Sequence, residues 1–217
     1  MIKAIIFDFD GVIVESVNIK STAFSEMYKA HGRDVVEKVL AHHLLNGGIS
    51  RFEKFRFYHK QYLGVSLTKS ELAKIANQFS NLVVDKVISA PYVPGAYEFL
   101  SEYNNIYDFY ISTGTPDAEI IRILKAKQIE VFFKGVYGSP EKKSEHVRRI
   151  LSNGEYQKNE VIFVGDSVTD REAARNNNIP FIARVAGGNG KLETEKLTIS
   201  NLENFSELIR NNIFPLL

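Results

Sequence analysis

Lys3-Ala4-Ile5-Ile6-Phe7-Asp8-Phe9-Asp10-Gly11-Val12 is the stretch that decides the architecture. Its apolar run has strand length and lacks the alternation of a half-exposed strand, so it reads as a strand buried on both faces. It ends in two carboxylates and a glycine. Three other runs behave alike: Asp108-Phe109-Tyr110-Ile111 into Ser112-Thr113-Gly114-Thr115, Glu160-Val161-Ile162-Phe163-Val164 into Gly165-Asp166-Ser167, and Pro180-Phe181-Ile182-Ala183-Arg184-Val185 into Ala186-Gly187-Gly188. Gly135-Val136-Tyr137-Gly138 is a weaker fifth. Helical patterns lie between them, over 116–127 after Thr115 and over 140–151 after Ser139, each opening on a proline. Thr169-Asp170-Arg171-Glu172 reads as a capping box. Strand alternating with helix predicts an α/β fold with a doubly wound parallel sheet, in which ligands bind outside the carboxyl ends of the strands.

Residues 16–89 differ. Apolar residues there recur at helical spacing, with breaks at Gly32, Asn46-Gly47-Gly48 and Gly64 and no strand pattern. The chain thus divides into a core of residues 1–15 and 90–217 and an all-helical insert of 16–89. An insert following a strand's carboxyl end sits over the ligand crevice and can act as a lid. The aromatic group Phe52, Phe55, Phe57, Tyr58 and Tyr62 is expected to form the insert's core.

Composition narrows the function. In 217 residues, 27 Lys and Arg stand against 26 Asp and Glu, a net charge of +1 that gives no reason to expect nucleic acid or an anionic membrane as partner. No apolar run approaches the ~18–20 residues of a membrane span, and Asp8 comes too early for a secretory signal. With no cysteine there is no disulfide framework or thiol nucleophile. A cytoplasmic protein, monomer or homodimer, is expected. The five histidines have no zinc-site spacing.

Asp8 and Asp10 close one buried strand, Asp166 and Asp170 follow another. Carboxylates gathered without a cation repel one another and lose hydration. A first-turn helix acid accounts for Asp170, but no structural need accounts for Asp166. Hard oxygens from two strand ends suit Mg²⁺.

With these motifs in order, the sequence resembles the haloacid dehalogenase-superfamily hydrolases, in the branch with a helical cap after the first strand that includes phosphoglycolate phosphatase-like and β-phosphoglucomutase-like proteins. The resemblance spans essentially the whole chain and implies a Rossmann-like core, Mg²⁺ as cofactor and a small phosphorylated metabolite as substrate. It makes Asp8 the nucleophile and Asp10 the general acid/base. Thr113 becomes the phosphate-binding hydroxyl, with Ser112 as the alternative, and the Gly114 amide lies beside it. Lys143 is the motif lysine, with Lys142 as the alternative and the loosest of the four matches. The metal set implied is Asp8, Asp166 and Asp170 with the backbone carbonyl of Asp10. In the cap, Arg51 stands where relatives place an arginine against the substrate's distal anion. Lys20 replaces a histidine that phosphoglucomutase-like relatives use between phosphoryl acceptors, which favours hydrolysis over phosphomutase activity; Lys20 is a further substrate-binding candidate. The chemistry needs Asp10 protonated in part near neutral pH, which burial beside carboxylates would favour. A phospho-accepting receiver-like signalling domain is the non-enzyme alternative, though such a domain is shorter and lacks the insert.

Overall fold

The computed structural model describes residues 1–187 and 192–212; Gly188, at the end of the fourth run, lies outside them. The core strands are β1 (Ala4–Phe7), β2 (Asp108–Pro116), β3 (Phe133–Ser139), β4 (Val161–Gly165), β5 (Phe181–Arg184) and β6 (Thr198–Ile199). They pair in parallel in the order β3-β2-β1-β4-β5-β6, the doubly wound arrangement expected. The order reverses at β1, flanked by β2 and β4, so the ends of those three strands frame the crevice.

Alternation along β1 explains its unbroken apolar sequence. Ile5 and Phe7 pack into one hydrophobic cluster while Ala4 and Ile6 pack into another on the opposite face. Phe7 contacts Phe99, Phe109 and Phe205 on the first face. On the second, Ile6 shares a cluster with Phe163, Val147 and Ala174. Each such burial contributes about 1.5–3 kcal/mol per large side chain. The core helices are α5 (Ala96–Tyr103), α6 (Asp117–Ala126), α7 (Lys143–Asn153), α8 (Val168–Asn177) and α9 (Phe205–Asn212). Two helix starts differ from the sequence expectation. Strand β3 runs on to Ser139, so residues 140–142 become a connection and α7 begins at Lys143. The capping box of α8 is Ser167 with Asp170, two residues earlier than Thr169 with Glu172, because β4 ends at Gly165 and leaves Ser167 extended at φ −127° and ψ 158°.

Between β1 and α5 lie only helices: α1 (Val17–Tyr28), α2 (Arg33–Leu45), α3 (Arg51–Tyr62) and α4 (Lys69–Ser89). Thr68 and Glu71 form a reciprocal capping box that starts α4. Phe24 gathers Phe55, Tyr58 and Phe79 from α3 and α4 into the insert's core. Phe57 instead is 38% exposed and stacks on His42, a departure from its expected core place. The two chain crossings lie side by side: Val14 bridges Tyr92 antiparallel, and the Glu15 N–H donates to the Pro91 carbonyl at 3.0 Å.

Candidate active site

The carboxyl ends of β1 and β4 bring the sequence's acidic clusters together. Asp8 directly follows β1 and is 3% exposed, its Oδ1 accepting from the Phe9 N–H at 2.7 Å. Asp166 directly follows β4. One carboxylate oxygen from each of Asp8, Asp166 and Asp170 lies within 4.8 Å of the others. Two glycines make that approach possible. A Cβ on Gly11, whose φ is +74°, would stand 2.2 Å from Asp166 Oδ2; one on Gly165 would stand 2.3 Å from Asp170 Cβ.

Lys143, the first residue of α7, is buried and reaches Asp8 Oδ2 at 2.8 Å and Asp170 Oδ1 at 2.6 Å. Lys142 is exposed. Asp170 is fully buried, and its other oxygen accepts from the Ser167 N–H at 3.0 Å and from the Ser167 hydroxyl. Both of its oxygens are thus engaged by protein donors. Thr113 and Gly114, in the last half of β2, line the cavity beside Asp8. Ser112 points elsewhere, its hydroxyl 2.9 Å from Nδ1 of the buried His146.

The Asp10 carboxylate turns away from the metal-type cluster. It accepts from Ser16 at 2.6 Å, from Thr115 at 3.1 Å and from the Lys20 ammonium, which also donates to Thr115 at 2.8 Å. Burial alone would raise Asp10, but Lys20, by charge and hydrogen bond, together with Ser16 and Thr115, holds its carboxyl below the ordinary range. This corrects the expectation of a partly protonated Asp10: the counter-ion outweighs burial. Asp8 goes the other way. Burial, opposed by Lys143 and aided by Asp170 and Asp10, pushes it up to about 7. Asp166 is raised well above its usual value by burial and by Asp8 and Asp170. Lys143 is raised despite burial because Asp170 and Asp8 flank it.

The cap loop at Asn46-Gly47-Gly48 closes over this cluster. Thr169 Oγ1 donates to the Gly47 carbonyl at 3.0 Å. A Cβ on Gly48, at φ +75°, would lie 2.0 Å from Thr169 Oγ1 and 3.1 Å from Lys143 Nζ; one on Gly114 would lie 2.6 Å from the Gly48 carbonyl. Arg51 follows this loop and lines the cavity, but it is 4% exposed and forks onto Glu119 of α6, with Nη1 2.9 Å from Glu119 Oε2 and 2.8 Å from Ser80. Its guanidinium also lies 4.6 Å over the Phe79 ring. Arg51 therefore ties cap to core. The sequence reading missed Lys54 and His43, which are buried in the cap and line the same cavity of about 720 Å³. Lys54 sits among aromatic residues on a helix, a pattern that signals nothing beyond amphipathicity.

The donor set fits Mg²⁺. Among the described residues, three acids (Asp8, Asp166, Asp170) gather around one cation, Lys143, while Asp10 and Lys20 balance each other. Carboxylate oxygens gathered this closely are the preferred ligands of a hard divalent cation. The raised Asp8 and Asp166 reflect the same crowding, which favours positive charge between the carboxylates.

Residues 5–184 match the model of the haloacid dehalogenase-like hydrolase family, and the chain belongs to that family; it is an enzyme of the hydrolase class. Among its relatives is a phosphoglycolate phosphatase of Photorhabdus laumondii, 28% identical over 218 residues, covering 96% of this chain and 91% of that protein. A β-phosphoglucomutase from Clostridium difficile superimposes with a TM-score of 0.81 at 20% identity, covering 100% of this chain and 99% of that one. The hydrolase YfnB from Bacillus subtilis, solved bound to magnesium, gives a TM-score of 0.69 at 15% identity over 96% of this chain and 99% of its own. No helix among the described residues is long and apolar enough to cross a membrane.

Proposed function

We propose that this hydrolase is a Mg²⁺-dependent phosphatase of the cytoplasm that cleaves a small phosphorylated metabolite through an aspartyl-phosphate on Asp8. The reading takes residues 1–15 and 90–217 as the catalytic core and 16–89 as its cap. The observation that carries it is the buried Asp8, aligned beside Lys143 and within 4.8 Å of Asp166, in a cavity large enough for a small metabolite. The phosphoglycolate phosphatase relative supports the same class.

In this reading Asp8 Oδ attacks phosphorus, forming the Asp8 O–P bond as the ester P–O bond breaks and the alcohol leaves with a proton. Asp8, Asp166 and the Asp10 backbone carbonyl would hold Mg²⁺, which when bound offsets the repulsion between the anionic nucleophile and the anionic phosphoryl group. Asp170, the third acid of the cluster, holds Lys143 against Asp8. Thr113 and the Gly114 amide donate to phosphoryl oxygens, as does Lys143. The leaving oxygen takes its proton from the Asp10 carboxyl, which gained it from water in the preceding turnover. Asp10, ionised, then takes the proton of the water that cleaves the Asp8 O–P bond, releasing inorganic phosphate. An ionised Asp10 is well suited to that second, basic role.

The test is phosphate release from an aryl phosphate with Mg²⁺, with chelator, and in Asp8→Asn. Mass spectrometry of rapidly quenched enzyme should find one phosphoryl group on the peptide carrying Asp8. Turnover that persists in Asp8→Asn, or in strong chelator, overturns the mechanism. A strict requirement for a bisphosphorylated sugar, regenerated each cycle, would make the enzyme a phosphomutase instead.

A further inference from the structure

The cap carries into the cavity a buried cation that forms no salt bridge among the described residues. Lys54 on α3 is 3% exposed and lines the same cavity as Asp8 and Asp166. Its ammonium donates to His43 Nδ1 at 2.8 Å and reaches the His43 carbonyl at 3.4 Å; no carboxylate pairs with it among the described residues. The other cations at or beside this cavity, among the described residues, contrast with it. Lys20 has Asp10, Lys143 has Asp8 and Asp170, Arg51 has Glu119, and Arg184 has Glu15.

His43 makes Lys54's position deliberate. An ammonium only donates, so Nδ1 of His43 accepts and the ring proton resides on Nε2. His43 is 7% exposed and its Nε2 has no partner among the described residues. Burial and the adjacent Lys54 push His43 down to about 2, which keeps the ring neutral and able to accept. Burial, then the positive charge of Lys20, brings Lys54 itself down to about 7. Asp10 and Asp166 attract it without pairing with it, and a buried cation that no anion touches is costly to keep. An anion arriving in the cavity removes that cost.

We propose that Lys54, aimed by His43, binds a second anionic group of the substrate, so that the substrates are phosphomonoesters bearing another anion, carboxylate or phosphate, on a short skeleton. This rests on the phosphatase reading and adds to it. The phosphoryl group is held at Asp8 and Lys143 in the core, and the second anion is held by the cap. Arg51, for which the sequence suggested this role, already has its charge matched by Glu119.

Three probes on the full-length Mg²⁺ enzyme test it: ethyl phosphate (neutral tail), phosphoglycolate (carboxylate tail) and propanediol bisphosphate (phosphate tail). Wild type, Lys54→Met and Lys54→Arg are compared. Lys54→Met should raise KM for the carboxylate or the phosphate probe by about tenfold to a hundredfold, the scale of one lost charge-assisted hydrogen bond. Ethyl phosphate should keep its KM and kcat, and Lys54→Arg should recover most of the loss. Whichever anionic probe responds identifies the second group. Equal effects on all three probes, or none, overturn the subsite while leaving the phosphatase intact. A wild type that hydrolyses none of them overturns the phosphatase reading instead. Binding provides a readout without turnover: phosphoglycolate or the bisphosphate should raise the melting temperature of Asp8→Asn, and Asp8→Asn/Lys54→Met should lose that rise. A rise of equal size in both variants again refutes the Lys54 contact.

Discussion

Replacing Glu119 by Gln keeps the shape of the side chain and removes the charge that answers Arg51. The pair is buried, at 4% and 9% side-chain exposure, and joins helix α3 of the cap to helix α6 of the core. Unit charges about 4 Å apart attract by about 4 kcal/mol at an effective dielectric constant of about 20. Breaking one side of such a pair leaves a buried uncompensated charge, which costs about 3–5 kcal/mol, whereas removing both sides costs far less. Glu119→Gln and Arg51→Met should therefore each lose about 3 kcal/mol. For a chain of this size that lowers the melting temperature by about 6–12 °C. The double variant should fall within about 1 kcal/mol of wild type, a coupling that a double-mutant cycle by urea unfolding measures directly. The same variants should raise KM for every substrate alike, because a loosened cap affects them all. A coupling below about 0.5 kcal/mol, the level of a surface pair, refutes the tie between cap and core. So does a KM change confined to anionic-tailed substrates, which would make Arg51 a substrate ligand.

Asp166→Asn removes one of three clustered carboxylates; the rise in melting temperature on adding Mg²⁺ should disappear, as calorimetry would record. The protons that burial and mutual repulsion hold on Asp8, up to about pH 7, and on Asp166 must leave before the metal binds, so the Mg²⁺ concentration for half-activation should climb by about tenfold or more per pH unit as pH falls below about 7; a flat dependence between pH 5 and 7 would contradict the cluster's electrostatics. Lys54 is depressed from 10.5 to about 7 in the folded protein, so the native state binds fewer protons than the unfolded chain between those values and stability should increase as pH rises from about 7 to 10.5. Lys54→Met should flatten that part of the profile in pH-dependent urea melts, unless burial is not what shifts the lysine. Gly48→Ala puts a methyl group 2.0 Å from Thr169 Oγ1 at a φ of +75°, so kcat/KM should drop by about tenfold or more while stability falls by about 1–2 kcal/mol; unchanged kinetics would mean that the loop does not close on the core during turnover.

Much of the fold was legible because β1, β2, β4 and β5 are buried on both faces, which forces unbroken apolar runs such as Ile5-Ile6-Phe7. The acidic site was legible because Asp166 has no structural reason to follow such a run. What escaped the sequence is what depends on three-dimensional neighbours. Ser167 and Thr169 each precede an acid by three residues, Asp170 and Glu172, so two capping boxes overlap in the sequence; only the end of β4 chooses between them. Asp10's protonation turns on Lys20, ten residues away and one helix later, whose amine reaches back to it. Arg51 and Lys54 are both cations one helical turn apart, and nothing local tells that Glu119, in another part of the chain, answers the first and leaves the second. Strand β6 is two residues long and gives no run to read.

The pairing of the two chain crossings has a mechanical meaning. With Val14 bridged to Tyr92 and Glu15 bonded to Pro91, the chain's two passages into the insert are clasped together along one edge, and Arg184 moors that edge by holding the Gly11 carbonyl at 2.7 Å and the Glu15 carboxylate at 2.6 Å. A flap fixed along one line swings about that line rather than tumbling. Any such swing must first break the Arg51–Glu119 pair and the Thr169–Gly47 hydrogen bond, the two contacts that latch the flap shut.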